Sequence, residues 1–273
     1  MTSFDRASIS AITFDFGNTL VPVGQAGLRA VVESTGRAVC DRLGPFDFDE
    51  YLRVWSDERD RQFREEVPEF RETDLGERFV RVLARLRGMS PPPDDVAWDQ
   101  EEAARRSTAD EIAWALDIYS AAFLGGLPPD PAATPLLEAL AQDHSIAIVS
   151  NWPLAATIDR YVDAAGWAAF FKAIVISQRV GVIKPHPAIF EKARHQLGDP
   201  PPDAILHVGD DWAADVVGAS HAGWRVAYLR KRPHDSPLPS SERDGSVVPD
   251  LEADSLAALA AILTPDVELT HAG

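Results

Sequence analysis

Side chains able to do chemistry follow apolar segments at four separate places in this sequence. They are Asp15, the pair Ser150 and Asn151, Lys184, and the group Asp210, Asp211 and Asp215. A carboxylate can act as a nucleophile or hold a divalent cation, and a lysine ammonium adds a fixed positive charge. If the fold brings these places together, carboxylates, a hydroxyl, an amide and an ammonium would share one site.

The elements that must position these residues are short apolar strands alternating with helices. Apolar, β-branched runs predict strands at residues 9–14, 145–149, 173–176, 204–208, 225–229 and near 246–248. Apolar residues at three- and four-residue spacing predict helices at residues 134–142, 155–165, 188–197, 215–222 and 255–263. This alternation is typical of a parallel sheet covered on both faces. We therefore predict an α/β fold with a Rossmann-like core.

The polar residues fall at the carboxyl ends of the predicted strands. Taken singly, an Asp or Ser there is often a helix cap, and a lone lysine in a loop is usually solvated. Helix caps that arise by chance, however, would not be expected at the ends of several successive strands. In open α/β sheets these ends meet at one edge, where ligands bind. We therefore expect the four places to converge.

A long helical stretch separates the first two strands. Residues 28–43, 48–66, 75–86 and 109–123 have helical spacing of apolar residues, and a proline run at residues 91–93 divides them. We predict a helical domain at residues 21–128, inserted into a core formed by residues 1–20 and 129–273. The two parts would face each other above the strand ends.

Four segments resemble the motifs of the haloacid dehalogenase-like hydrolases. They are ITFDFGNTL around Asp15, IAIVSN ending in Asn151, GVIKPHPAIF around Lys184, and HVGDDWAADVVGASHAG around Asp210. Their order, spacing and flanking strands match the family, and the insert lies where the family has an α-helical cap. The resemblance implies a hydrolase of the phosphatase and dehalogenase branch.

The resemblance also implies roles for these residues in a Mg²⁺-dependent phosphatase. Asp15 would attack phosphorus and form an aspartyl-phosphate, while Mg²⁺ and Lys184 neutralise charge and Ser150 binds phosphoryl oxygens. The metal ligands would be Asp15, Asp210 and the backbone carbonyl of Gly17, with Asp215 as a catalytic partner of the metal or of Lys184. The expected substrate-binding residues are Asn18, Asn151 and Trp152. Asp211 could share the role of Asp215 or cap a helix.

Gly17 departs from the family pattern. Most phosphatases of the family have a second Asp there, which protonates the leaving group and activates water. Loss of a positioned proton donor typically costs about 10²–10⁴-fold in rate. Asn18 cannot replace it, because an amide does not exchange a proton at neutral pH. Either the leaving group needs no proton, as with an acyl phosphate, or Gly17 serves the turn and another group supplies the proton.

Gly17 also leaves two alternative functions open. One is a 2-haloacid dehalogenase-type hydrolase, which uses the equivalent of Asp15 without a metal. The other is a catalytically impaired member that binds a phosphorylated ligand. Phosphonatase chemistry is excluded, because it needs a lysine from the cap and residues 22–128 contain none.

Composition limits the partners. With 43 acidic and 26 basic residues and a net charge of -17, the chain repels phosphate backbones, so nucleic-acid binding is not expected. The single Cys40 suits a reducing compartment. Neither a signal peptide nor a membrane span is recognised. We expect a cytoplasmic monomer or homodimer that acts on a small phosphorylated metabolite.

Overall fold

The computed structural model of this protein describes residues 5–264. Its centre is a six-stranded parallel sheet in the order β3-β2-β1-β4-β5-β6. The strands are β1 Ala11–Phe14, β2 Ser145–Ser150, β3 Phe171–Ile176, β4 Ile205–Gly209, β5 Arg225–Leu229 and β6 Leu251–Ala253. The α/β fold with a Rossmann-like parallel core is therefore confirmed.

Residues of the central strands alternate between the two faces of the sheet. Ile146 and Ile148 of β2 pack into a cluster on one face, and Ala147 and Val149 pack into a cluster on the other. Both faces are covered, which is why these strands are almost continuously apolar. The covering helices are α6 Ala133–Leu140, α7 Ala155–Ala164, α8 Ser177–Val180, α9 Pro187–Gln196, α10 Gly218–His221 and α11 Leu256–Leu263.

The stretch between β1 and α6 is helical. Its helices are α1 Gln25–Leu43, α2 Phe48–Glu66, α3 Leu75–Leu86, α4 Gln100–Ala104 and α5 Ala109–Gly126. The predicted bounds of α2 and α3 are confirmed. Both helices begin where an aspartate, Asp47 or Asp74, caps the first turn with a side-chain hydrogen bond. The short α4 was not predicted, because five residues are too few to establish a helical period.

Two predictions for the C-terminal half are wrong. No strand forms at residues 246–248, where Val248 is 85% exposed; the last strand is β6. The Asp250 carboxylate accepts the Val226 N–H, so pairing with β5 begins only at Leu251. The helix expected at residues 215–222 instead begins as a π-helical turn, Trp212–Val217, capped by Asp211, and continues as α10.

An aromatic cluster joins the helical stretch to the sheet. Phe123 of α5 lies 5.2 Å from Trp152 and 6.1 Å from Tyr161, between ring centroids. Phe16, just after β1, completes the cluster at 5.2 Å from Tyr161. These rings belong to one continuous apolar core that includes residues of α1, α2, α3 and α5. Within residues 5–264, no helix is both long and apolar enough to cross a membrane.

Candidate active site

Asp15 lies at the carboxyl end of the central strand, where its neighbours in the sheet also end. Phe14 is in register with Ile148 of β2 and Val208 of β4, so the residues that follow these strands meet Asp15. The Asp15 carboxylate is 8% exposed. Its Oδ1 accepts hydrogen bonds from Ser150 Oγ and Lys184 Nζ, both at 2.8 Å. One carboxylate oxygen is thus held by two donors, and the carboxylate has a fixed orientation.

Lys184 is the buried cation of the site. Its ammonium donates to Asp15 Oδ1, to Asp215 Oδ1 at 2.6 Å and to the Val149 carbonyl at 2.7 Å. All three ammonium hydrogens therefore have acceptors. Only 3% of Lys184 is exposed, so the two carboxylates compensate a charge that burial would otherwise destabilise.

Asp215 is held by a hydrogen-bonded chain that the sequence interpretation did not anticipate. His207 Nε2 lies 3.1 Å from Asp215 Oδ1, and His207 Nδ1 lies 2.8 Å from Thr13 Oγ1. Because an ionised carboxylate can only accept, Nε2–H donates to Asp215 and Nδ1 accepts from the Thr13 hydroxyl. The Asp211 N–H occupies the second oxygen of Asp215. The sequence carried no signal for this chain, because the pairing of Thr13 with His207 is set by the register of β1 and β4 in the folded sheet.

The charges at the site displace the pKa values of its groups. Burial alone would lower the pKa of Lys184 and raise that of Asp215. Their ion pairs outweigh burial, so the pKa of Lys184 is raised and that of Asp215 is lowered. Burial lowers the pKa of His207, which is therefore neutral at pH 7. The site thus keeps an ammonium beside ionised Asp215 over the physiological range.

Asp210 is the carboxylate with the fewest partners. Burial raises its pKa well above the usual value, and the neighbouring Asp15 and Asp215 carboxylates add to the effect. Its buried Oδ2 has no hydrogen-bond partner among the described residues. Arg232 Nη1 is 3.2 Å away as an ion-pair contact. A buried carboxylate without hydrogen bonds is stabilised by a nearby cation, and this oxygen still has room for hydrogen bonds or a ligand contact.

The oxygen donors around Asp210 fit a hard divalent cation. Carboxylate oxygens of Asp15, Asp210 and Asp215 lie within 4.8 Å of one another. Asp15, Gly17 and Asp210 line the same small cavity. Since Mg²⁺ prefers oxygen ligands, this donor set and the unpartnered oxygen suit it. Asp15 and Asp210 are the better ligands, because both oxygens of Asp215 already accept hydrogen bonds.

Of the two asparagines predicted to bind substrate, Asn151 lines the cavity that contains Asp15 and Asn18 does not, and the amides of both are engaged. Asn151 donates to the Lys184 carbonyl and accepts from the Lys184 N–H, at 3.1 and 2.7 Å. It thereby holds the backbone that carries the lysine. Asn18, in a left-handed conformation, accepts from Val23 N–H and donates to Ser236 Oγ. These contacts give both residues positioning roles, and substrate binding by them stays a prediction.

A wall of apolar side chains stands beside Gly17. A Cβ placed on Gly17 would lie 2.7 Å from Leu238 Cδ1 and 3.2 Å from Trp152 Cζ3. Both neighbours line the cavity that contains Asp15. The space that a side chain at position 17 would need is therefore filled.

Leu238 belongs to a covering loop, residues 230–245, which carries residues that the sequence interpretation missed. The Ser241 N–H and hydroxyl both donate to Asp211, and Ser241 Oγ accepts from Ala213 N–H. Arg232 donates to the Leu238 carbonyl at 2.7 Å. Asp211 thus caps the π-helical turn and also anchors the covering loop. The polar, Pro- and Ser-rich composition of residues 230–245 predicts a loop, but it does not indicate these contacts, because they are with residues distant in the chain.

Residues 9–223 match the family model of the haloacid dehalogenase-like hydrolases. The chain belongs to this family. It is a family of hydrolases, and the four motif segments lie within the matched residues. The likeness extends to solved structures: a 2-haloacid dehalogenase from Pseudomonas syringae pv. tomato has a TM-score of 0.61 with 23% identity, over 95% of this chain and 100% of that one. At this identity the likeness shows a common fold.

Curated relatives of this haloacid dehalogenase-like hydrolase include phosphatases. The pyrimidine 5′-nucleotidase YjjG of Escherichia coli is 33% identical over 109 residues, 40% of this chain and 48% of that protein. A glyceraldehyde 3-phosphate phosphatase of Methanopyrus kandleri is 39% identical over 85 residues, 31% of this chain and 35% of that protein. The matches therefore span half or less of these relatives.

Proposed function

We propose that this protein is a Mg²⁺-dependent phosphatase that uses Asp15 as its nucleophile. The observation that carries the proposal is the Asp15 carboxylate, held by Ser150 and Lys184 beside Asp210. The buried Oδ2 of Asp210 has an ion pair with Arg232 but no hydrogen bond within the described part of the chain. The activities of the curated relatives support a small phosphorylated metabolite as substrate. A cytoplasmic location and a monomeric or homodimeric state stay predictions.

The reaction would proceed by displacement at phosphorus. The Asp15 carboxylate attacks phosphorus while the bond to the leaving oxygen breaks, giving an aspartyl-phosphate that water then hydrolyses. Lys184 and the Ser150 hydroxyl, both hydrogen-bonded to Asp15, stabilise the negative charge around the phosphoryl group. Mg²⁺, held by Asp15, Asp210 and the Gly17 carbonyl, would supply further charge neutralisation. Asp215 keeps Lys184 charged and in place.

The division into a core and an α-helical cap, residues 21–128, is part of this proposal. The helical stretch meets the sheet where α5 packs on α7 and where Leu75 N–H donates to the Pro153 carbonyl. A cavity lined by residues of both parts adjoins the Asp15 cavity, and Trp152 lines both cavities. A substrate entering there would be enclosed between cap and core.

The decisive test is Asp15→Asn, assayed by phosphate release from acetyl phosphate with Mg²⁺ and with EDTA. We expect the substitution to lower turnover by on the order of 10³-fold or more, since it removes the nucleophile. EDTA should abolish turnover by the wild type. The matched control is Asp163→Asn, which changes an exposed carboxylate of α7 and should have wild-type activity. Full Mg²⁺-dependent turnover by Asp15→Asn would refute the mechanism.

Gly17 supports a second candidate, a metal-independent 2-haloacid dehalogenase that also attacks through Asp15. Dehalogenases expel a halide and need no proton donor at position 17. Halide release from 2-chloropropionate is the discriminating assay. This candidate would be favoured over the phosphatase if halide release persists in EDTA and no phosphorylated compound is hydrolysed.

A further inference from the structure

A second, larger cavity adjoins the site of Asp15. The Asp15 cavity has a volume of about 70 Å³, enough for little more than a phosphoryl group. The adjoining cavity has a volume of about 360 Å³. Asn151, Trp152, Lys184 and Leu238 line both. A substrate with its phosphoryl group at Asp15 would therefore place its leaving group in the larger cavity, which we call the leaving-group cavity.

The leaving-group cavity is lined mainly by aromatic and aliphatic side chains. They include Phe63, Phe70, Tyr119, Trp152, Ile183 and Leu238. Trp152 is 4% exposed and Tyr119 is 6% exposed, so both rings are held in place by packing. Aromatic rings bind other rings by offset or edge contacts in addition to the burial of apolar area. These walls suit a flat apolar group.

The charged residues that line this cavity are already paired within the protein. Arg78 donates to Gln62 and Thr73, and Arg59 pairs with Asp60. Glu72 accepts hydrogen bonds from Thr73 and Ser177. An apolar ring leaves these pairs in place.

The two carboxyl groups that line this cavity, Asp211 and Glu72, are held by hydrogen bonds within the protein. Both oxygens of Asp211 accept, from Ser241 and from Ala214 N–H. Both oxygens of Glu72 accept as well. At position 17 Leu238 and Trp152 fill the space that a carboxyl side chain would need. With no carboxyl side chain at position 17, the site suits a leaving group that departs as an anion stable without protonation.

From the apolar walls and the missing acid we infer that the substrate is a phosphate monoester of a phenol-type alcohol, whose ring occupies the leaving-group cavity. The inference rests on the proposed function. Asp15 Oδ forms the bond to phosphorus, and the bond from phosphorus to the aryl oxygen breaks with its electron pair leaving on the phenolate. Water then attacks phosphorus as the bond from phosphorus to Asp15 Oδ breaks, Asp15 is released as a carboxylate, and both water protons leave on the product as dihydrogen phosphate.

Leaving-group acidity explains why a phenol suits this site. A phenolic hydroxyl has a pKa of about 10. An aliphatic hydroxyl resembles water, with a pKa of about 16. A phenolate therefore leaves without help where an alkoxide does not. A positioned acid that protonates the leaving oxygen raises the rate by about 10²–10⁴-fold, chiefly for substrates with poor leaving groups.

Three phosphate monoesters separate ring binding from leaving-group acidity. Phenyl phosphate has a ring and a good leaving group, benzyl phosphate has a ring and a poor one, and glycerol 3-phosphate has neither. We expect kcat/KM for phenyl phosphate to exceed that for benzyl phosphate by about 10²-fold or more. The value of kcat/KM for benzyl phosphate should exceed that for glycerol 3-phosphate by about tenfold, because an apolar pocket favours a ring over a polar group.

A variant of the cavity wall tests where the ring binds. Phe63→Ala should lower the ratio of kcat/KM for phenyl phosphate to that for acetyl phosphate by about tenfold, mainly through KM. The control is Phe48→Ala, which makes the same change in the same helix. Phe48 does not line the leaving-group cavity, and its ring is covered by Arg37. That variant should keep the wild-type ratio.

The outcomes distinguish this inference from the proposed function. If Asp15-dependent hydrolysis of acetyl phosphate occurs but phenyl phosphate is no better than glycerol 3-phosphate, the inference is overturned and the phosphatase proposal stands. An unchanged ratio in Phe63→Ala would likewise overturn ring binding in this cavity. If no phosphorylated compound shows Asp15-dependent turnover, both proposals fall.

Discussion

At the scale of single residues, Asp210 and Arg232 form the contact that bears most directly on metal binding. Asp210 is a proposed ligand, and Arg232 Nη1 lies 3.2 Å from its Oδ2. The Arg232 side chain is 19% exposed and also donates to the Leu238 and Pro239 carbonyls. A guanidinium and a divalent cation would compete for the same carboxylate. If Asp210 is a metal ligand as proposed, Arg232 would lower the affinity of the site for Mg²⁺ while it holds the covering loop.

Removing this competing charge should strengthen metal binding. For Arg232→Gln we expect a Kd for Mg²⁺ that is roughly 3- to 10-fold lower than in the wild type, equivalent to about 1 kcal/mol for a partly exposed pair. Isothermal titration calorimetry at pH 7 measures this without turnover. The control is Arg230→Gln, which removes the same charge from an arginine paired with Asp254. A Kd for Arg232→Gln that equals or exceeds the wild-type value would show that the pair does not oppose the metal.

At the scale of elements, the start of α5 is joined to the end of α3 by one carboxylate. Glu111 completes a capping box with Thr108 and accepts two hydrogen bonds from Arg87, at 2.6 and 3.0 Å. The Arg87 hydrogen bonds lower the pKa of Glu111 to about 2, with the Thr108 N–H contributing as well. The unfolded chain has a pKa of about 4.3 at this position. Stability from this charge is therefore present above pH 4.3 and is lost as the pH falls toward 2.

Glu111→Gln tests that pH dependence. The variant keeps an acceptor for the cap and loses the charge, so we expect about 1 kcal/mol less free energy of unfolding at pH 7, after allowing for the 25% exposed side chain. The difference from the wild type should shrink as the pH is lowered from 5 to 2. Urea unfolding followed by circular dichroism measures it. As a control, Glu33→Gln breaks an exposed helical pair with Arg29 and should change stability by less than about 0.5 kcal/mol. A pH-independent difference would contradict the assignment.

At the scale of the whole molecule, the helical stretch and the sheet share one apolar core. Phe123 of α5 is fully buried and contacts three aromatic rings of the sheet part. They are Phe16 after β1, Trp152 after β2 and Tyr161 in α7. The cluster extends without interruption from Val31 in α1 to Leu259 in α11. We expect the two parts to unfold together, because neither can expose its side of this cluster without losing the other side.

Phe123→Ala tests this unity. The substitution should lower the free energy of unfolding by about 3–5 kcal/mol and leave a single calorimetric transition at a lower temperature. Tryptophan fluorescence and circular dichroism should report the same midpoint. Val248→Ala, at an 85% exposed position, should stay within about 0.5 kcal/mol of the wild type. Two separate transitions in the wild-type protein would show that cap and core unfold independently.

The general architecture was predictable because its signals are local. Buried strands are apolar runs, and amphipathic helices have a period of three to four residues, so the parallel core and the bounds of α2 and α3 could be predicted before any coordinates. The placement of Asp15, Ser150, Lys184 and Asp210 at one edge follows from the same strands, since parallel strand ends must meet.

The sequence by itself determined the α/β architecture and the set of side chains at its carboxyl edge. Only the tertiary structure decided what surrounds them. The covering loop brings Arg232 to Asp210 and Leu238 to Gly17, and register brings Thr13 to His207 and Asp215. These contacts join residues up to about two hundred positions apart, and no periodic pattern records the path of an irregular loop. The lining of the site therefore depends on the folded chain.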